Sequence, residues 1–211
     1  MLKNHIALLG DSIFDNASYT AGAPDVIAHL RVGLPGGWGA SLLAVDGSTT
    51  LDLAAQVARV PADVTHVVVS IGGNDALLNS DVLSLPVAST AEALSIFGGR
   101  ADAFRSSYRS ALDAVLALGR PTTVCTIYEG NLDPEVAALA RVALVFFNDV
   151  ILRTAFERDV GVIDLRLVCD EPSDYANPIE PSGSGGKKIA AAILAATAAL
   201  EIAGGRGAYK R

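Results

Sequence analysis

A chain of 211 residues with 51% hydrophobic content has the size of one ordinary domain with a full core. Its net charge of −7, with Lys and Arg scattered, argues against a nucleic-acid partner and against binding to an anionic membrane surface. Residues 189–203, the longest apolar stretch, fall short of the ~20 needed to cross a bilayer, so no membrane insertion is expected.

Met1 to Asn4 lead directly into an apolar run with no basic and apolar leader before it, and a cytoplasmic location is expected. Strand-length apolar runs follow at 5–9, 41–45, 66–71, 122–127 and 161–165. Their unbroken Val, Ile and Leu character suits strands covered on both faces, as in a parallel sheet. Helices are predicted between them at 25–32, 50–60, about 89–118, 134–158 and 184–203. Pro24 and Pro134 suit first turns, where a missing N–H costs nothing. Gly119 and Pro121 stop the third helix, and Gly204 and Gly205 the last. Residues 79–90, with three serines and Pro86, read as a loop and a candidate site rim. Cys125 and Cys169 lie in apolar surroundings and read as buried free thiols, in keeping with the expected compartment. Alternating strands and helices predict an α/β fold, a three-layer α/β/α sandwich around a five-stranded parallel sheet. One domain is expected over residues 1–205, with a flexible tail at 206–211.

Ligands of open parallel sheets bind beyond the carboxyl ends of the strands. Each predicted strand here ends in a polar or glycine-bearing segment. In order these are Gly10-Asp11-Ser12, Asp46-Gly47-Ser48, Gly72-Gly73-Asn74-Asp75, Tyr128-Glu129-Gly130 and a last loop running through Glu180. Taken singly, Ser12 reads as a helix cap and Gly47 and Gly72 as turn glycines. Taken in order, Gly-Asp-Ser, a glycine after the second strand and Gly-x-Asn-Asp after the third resemble the SGNH (GDSL-type) serine hydrolases over nearly the whole chain. The resemblance implies the flavodoxin-like SGNH fold, no cofactor, and a small-molecule ester or acylated substrate. It puts Ser12 at the nucleophile. The Ser12 N–H, the Gly47 N–H and the Asn74 side-chain amide match the oxyanion donors, a task that suits neutral groups. Asp75 reads as structural, binding nearby backbone.

The last block departs from the family's Asp-x-x-His-Pro. Glu180 is followed by Pro181, by Gly185 five places on and by Ile189-Ala190 nine and ten places on. That register sets Glu180 at the histidine position and Asn177 at the aspartate position. The shifted register Asp174-x-x-Asn177 loses the proline and glycine spacing and is rejected. His5 and His66 open strands roughly 20 Å from the site edge, and His29 lies within a helix, so no histidine serves Ser12.

The double exchange has a charge logic. A carboxylate base becomes neutral on taking the serine proton and gains nothing from an anionic neighbour. An adjacent carboxylate would repel it, and Asn177 avoids that while orienting Glu180. Two readings follow. In one, an ester hydrolase uses Ser12 as nucleophile and Glu180 as base. In the other, an impaired SGNH scaffold binds an acylated or carbohydrate ligand. Three dispersed histidines make no metal site, and residues 183–186 lack the Lys-Ser/Thr ending of a phosphate-binding loop.

Overall fold

The computed structural model describes residues 3–202. Five parallel strands form one sheet in the order β2-β1-β3-β4-β5, the flavodoxin-like arrangement. They are β1 (Asn4–Gly10), β2 (Trp38–Leu42), β3 (His66–Ser70), β4 (Thr122–Cys125) and β5 (Gly161–Ile163). Helices α1 (Val26–Gly33), α2 (Leu53–Val57), α3 (Gly73–Leu78), α4 (Thr90–Leu116), α5 (Pro134–Glu157) and α6 (Gly183–Ile202) connect and cover them. The three-layer α/β/α expectation is met.

The period-two alternation of β1 divides the core. Ala7 and Leu9 face one layer with Leu112, Val115 and Ile151 of α4 and α5, while Ile6 and Leu8 face Leu30 of α1 and Ile193 of α6. Each such buried aliphatic side chain contributes about 1.5–3 kcal/mol of transfer free energy, so both layers hold the sheet.

Several boundaries differ from expectation. The second strand was expected at 41–45 but runs from Trp38 to Leu42, with Asn4 opposite Trp38 and Leu8 opposite Leu42. The apolar run that suggested 41–45 is the strand's exit. There Leu43 N–H and Ala44 N–H both donate to Leu8 C=O, which breaks the ladder. The expected helix 50–60 is a 3-10 turn at Thr50–Asp52, capped by Thr49, followed by the short α2. Pro134 opens α5 as expected, whereas Pro24 lies before the cap of α1, where the Asp25 side chain accepts from Ala28 N–H. Gly119, at φ +64, closes the turn after α4 by donating to Leu116 C=O. The predicted stop at Gly204 and Gly205 and the tail 206–211 lie outside the described residues.

Candidate active site

The end of β1 is shaped by Gly10. At φ +134, a Cβ there would stand 1.8 Å from the Ser70 carbonyl oxygen, so only glycine lets β1 and β3 stay this close as the chain turns. Asp11 N–H then donates to Ser70 C=O at 3.1 Å, and the Asp11 side chain accepts from Ile13 N–H at 3.1 Å. This tight turn, rather than a helix, presents Ser12, since α1 begins only at Val26.

Ser12 Oγ donates to Glu180 Oε1 at 3.1 Å, and both residues are buried. Burial holds the Glu180 carboxyl above its usual range, the Ser12 hydrogen bond opposes that shift, and Asp46 adds to it. Glu180 Oε2 is buried with no hydrogen-bond partner among the described residues. The backbone of this segment is fixed on all sides. Tyr128 Oη donates to Ile179 C=O at 2.5 Å, Asn16 Nδ2 donates to Pro181 C=O at 3.1 Å, and Ala176 N–H donates to Glu180 C=O at 2.9 Å. Tyr128 is itself set by Asn148 on α5, whose amide takes both the N–H and the C=O of Ile127.

Asn177 meets Glu180 through the main chain. Its exposed amide oxygen accepts from the N–H groups of Ile179 and Glu180, at 2.9 Å each. It therefore orients the backbone of Glu180 rather than the carboxylate. The spacing of the last block has a physical cause at Gly185, where a Cβ would come 2.1 Å from the Asp174 carbonyl oxygen.

Asn74 sits in α3, where its amide Nδ2 donates to Ser48 C=O at 2.9 Å. Gly47 forms the exposed turn after β2 at φ +79. The N–H groups of Ser12 and Gly47 have no acceptor among the described residues. Asp75 binds Thr50 through both N–H and hydroxyl, as expected of a structural residue. His5 reaches Ser41 at 2.8 Å, His66 stacks on Trp38, and His29 lies in α1, so the histidines stand apart from Ser12 as expected.

Ser12, Asn74 and Glu180 border one cavity of about 230 Å³, whereas Gly47 and Asn177 lie outside its lining. The cavity runs under the 3-10 turn Ser80–Ser84 and between α4 and α5, against Leu83, Phe97, Val136, Leu144 and Phe147. Residues 79–83 thus form part of the rim, as the loop reading suggested. Asn79 and Asp81 are clasped there by Arg100 of α4.

One group went unrecognised in the sequence. Asp11, buried beside Ser12, has its carboxyl pushed up to about 8 by burial; Ile13 N–H opposes this and the charges of Glu180 and Asp75 add to it. Asp11 therefore keeps its proton at neutral pH, so it sets no second negative charge beside Ser12 and Glu180. A folded-state pKa raised from 3.8 to about 8 gives stability that is whole below pH 3.8 and is lost as pH rises towards 8. Asp11→Asn, which keeps the shape and removes the titration, is expected to be more stable than wild type at neutral pH. The gain is on the order of 4 kcal/mol at about pH 7, shrinking towards about pH 4. Urea unfolding of both proteins across that range checks this, and a pH-independent difference would refute it.

The model of the GDSL-like lipase/acylhydrolase family matches residues 8–186. Among curated proteins none matches the chain. Solved structures share the fold across nearly their full length. An extracellular lipase from Streptomyces rimosus is 17% identical with a TM-score of 0.66, covering 92% of this chain and 99% of its own. Phospholipase A1 from Streptomyces albidoflavus NA297 is 15% identical with a TM-score of 0.70, over 92% and 99% of the two chains. The psychrotrophic esterase EstA from Pseudoalteromonas sp., solved with monoethylphosphonate inhibition, is 14% identical with a TM-score of 0.63, over 95% and 100%.

These comparisons correct the expectation of a cytoplasmic location, because an extracellular lipase carries the same fold. The thiols do not argue otherwise. Cys125 and Cys169 are free and buried, as expected, and burial pushes the Cys169 thiol up to about 12 and Cys125 higher still. Thiols held protonated in this way resist oxidation in any compartment. No helix among the described residues is long and apolar enough to cross a membrane. With the strand ends in family order and the family model matched from the first strand into the last helix, this chain belongs to the GDSL-like lipase/acylhydrolase family, for which acyl-ester hydrolysis is the general activity.

Proposed function

We propose that the chain hydrolyses a carboxylic ester through an acyl-Ser12 intermediate, with Glu180 as the base. The observation that carries this reading is the buried Ser12–Glu180 hydrogen bond, 3.1 Å from Oγ to Oε1. As Oγ attacks the carbonyl carbon, its proton passes to Oε1 and the carbonyl oxygen becomes anionic. The N–H groups of Ser12 and Gly47 and the second amide hydrogen of Asn74 receive that oxyanion. Collapse of the intermediate returns the proton from Glu180 to the leaving alkoxide. A water molecule then attacks the acyl-enzyme, again with Glu180 taking a proton, and Ser12 is released. Glu180 passes from anion to neutral acid, so no cation forms that an aspartate would need to balance. Its burial supports the role, since an unperturbed Glu is about two units less basic than His. The apolar cavity between α4 and α5 suits the acyl chain of the substrate.

A serine-directed phosphonate tests this reading, since Oγ must attack phosphorus and displace the leaving group. Wild type is expected to gain the phosphonyl mass on the peptide bearing Ser12, and Ser12→Ala to remain unmodified. An unmodified wild type would overturn the proposal. Asn74→Ala is expected to lower kcat on an activated short-chain ester by roughly 10²–10³-fold, the scale for one oxyanion donor. An unchanged kcat would remove Asn74 from that role.

A further inference from the structure

Helix α2 buries a polar residue that takes no direct part in the chemistry above. Gln56 is only 2% exposed, and its carboxamide holds both backbone groups of Gly10. Gly10 N–H donates to Gln56 Oε1 at 2.7 Å, and Nε2 donates to Gly10 C=O at 2.8 Å. The remaining Nε2 hydrogen reaches Ser48 Oγ at 3.2 Å. Ser48 lies next to Gly47, and its own carbonyl receives the Asn74 amide at 2.9 Å.

Gln56 directly, and Ser48 in turn, thus join three segments that are far apart in sequence. They are the turn bearing Ser12, the turn bearing Gly47 and the helix bearing Asn74. We propose that Gln56 is a positioning residue that holds the three oxyanion donors in register; this rests on the roles proposed for Ser12, Gly47 and Asn74.

The chemistry of the contact requires an amide. Gly10 presents a donor and an acceptor side by side, so the partner must offer an acceptor and a donor in the same plane. A carboxylate at position 56 would turn an oxygen towards Gly10 C=O and Ser48 Oγ, where the amide now donates. An aliphatic group would leave Gly10 N–H buried and unpaired. Either change loosens the two turns relative to one another. A displacement of about 1 Å at reacting groups can cost roughly 10²-fold in rate. Gln56 lies behind the turns and borders none of the cavity, so substrate binding in the ground state should be nearly indifferent to it.

The test is steady-state kinetics on an activated short-chain ester, together with the rate of phosphonate inactivation. Gln56→Glu is expected to lower kcat by roughly 10–10²-fold with KM within about three-fold of wild type, because the donors act in the transition state. Phosphonate inactivation, whose P=O occupies the same donors, should slow by the same factor. Ser48→Ala cuts only the Nε2–Oγ link, so it should fold normally and lose about three- to ten-fold in kcat. It keeps the question open to refutation if Gln56→Glu does not fold. Unchanged kcat and inactivation rate in folded Ser48→Ala and Gln56→Glu would overturn the proposal, as would a change confined to KM. Labelling of wild type by the phosphonate judges the role of Ser12 separately, and the ratio of variant to wild type judges Gln56.

Discussion

Ser12→Ala is expected to lower ester hydrolysis by on the order of 10⁶-fold, leaving only the small rate that oxyanion donors and binding give without a nucleophile. The size of the effect follows from the site. Ser12 Oγ is the hydroxyl that meets the Glu180 carboxylate, at the cavity bordered by Asn74. Without it no acyl-enzyme can form, and a water replacing Oγ lacks the fixed position that the Gly10 turn provides. Pre-steady-state kinetics make the result specific. Wild type should show a burst of alcohol release equal to the enzyme concentration when deacylation is slower than acylation, and Ser12→Ala should show none. Full activity in purified Ser12→Ala would place the chemistry elsewhere on the molecule. A cavity-lining change such as Phe147→Ala would not mimic this loss, because it alters acyl-chain fit and leaves the nucleophile in place.

What the sequence made legible, and what it hid, divides along physical lines. β1 and β3 are central strands with both faces covered, so an unbroken apolar run marks them well. β2 is an edge strand of half-buried residues, Trp38 to Leu42, with Gly39, Ala40 and Ser41 at its middle. Its position is set by pairing to β1, and local hydropathy pointed three residues too far along. α3 has six residues and is below the length at which a helix stands alone; it forms because Gly72, at φ +118, turns the chain and the fold supports it. The register of Glu180 was legible through Gly185, because a close backbone approach permits only glycine there. Asn177 was placed beside Glu180 correctly, yet which atoms its amide serves depends on the turn conformation, and it serves the backbone. Gln56 reads in sequence as one polar residue on a short helix, since Gly10 and Ser48 are distant partners. The protonation of Asp11 is equally invisible, because it comes from packing around the carboxyl and not from residue type.

Glu180→Gln is expected to lower the hydrolytic rate by at least ~10²-fold, the lower scale of general-base catalysis, and to abolish the acid limb of the pH profile. The sign follows from the carboxyl. Glu180 works as a base only when ionised, and burial raises its pKa above the ordinary 4.5. The wild-type rate must therefore climb with pH through that raised value and level off above it. Asp11 also titrates at the site, near 8, so the profile should be measured on Asp11→Asn as well; the limb that survives there belongs to Glu180. A wild-type rate that is negligible and unchanged in Glu180→Gln would favour an impaired binding scaffold over an enzyme. Restoring the family pair then asks whether the rest of the site is competent. An imidazole at position 180 becomes cationic on taking the Ser12 proton and needs an anion beside it. Asn177→Asp can supply one, because one carboxylate oxygen can keep the two backbone N–H groups that Asn177 now holds while the other turns to the ring. The double variant Asn177→Asp with Glu180→His is expected to raise esterase activity, and Glu180→His alone to raise it less, since the imidazolium would stand unbalanced. A folded double variant with no gain on any short-chain ester would mean that Ser12 and its oxyanion donors are not held for catalysis.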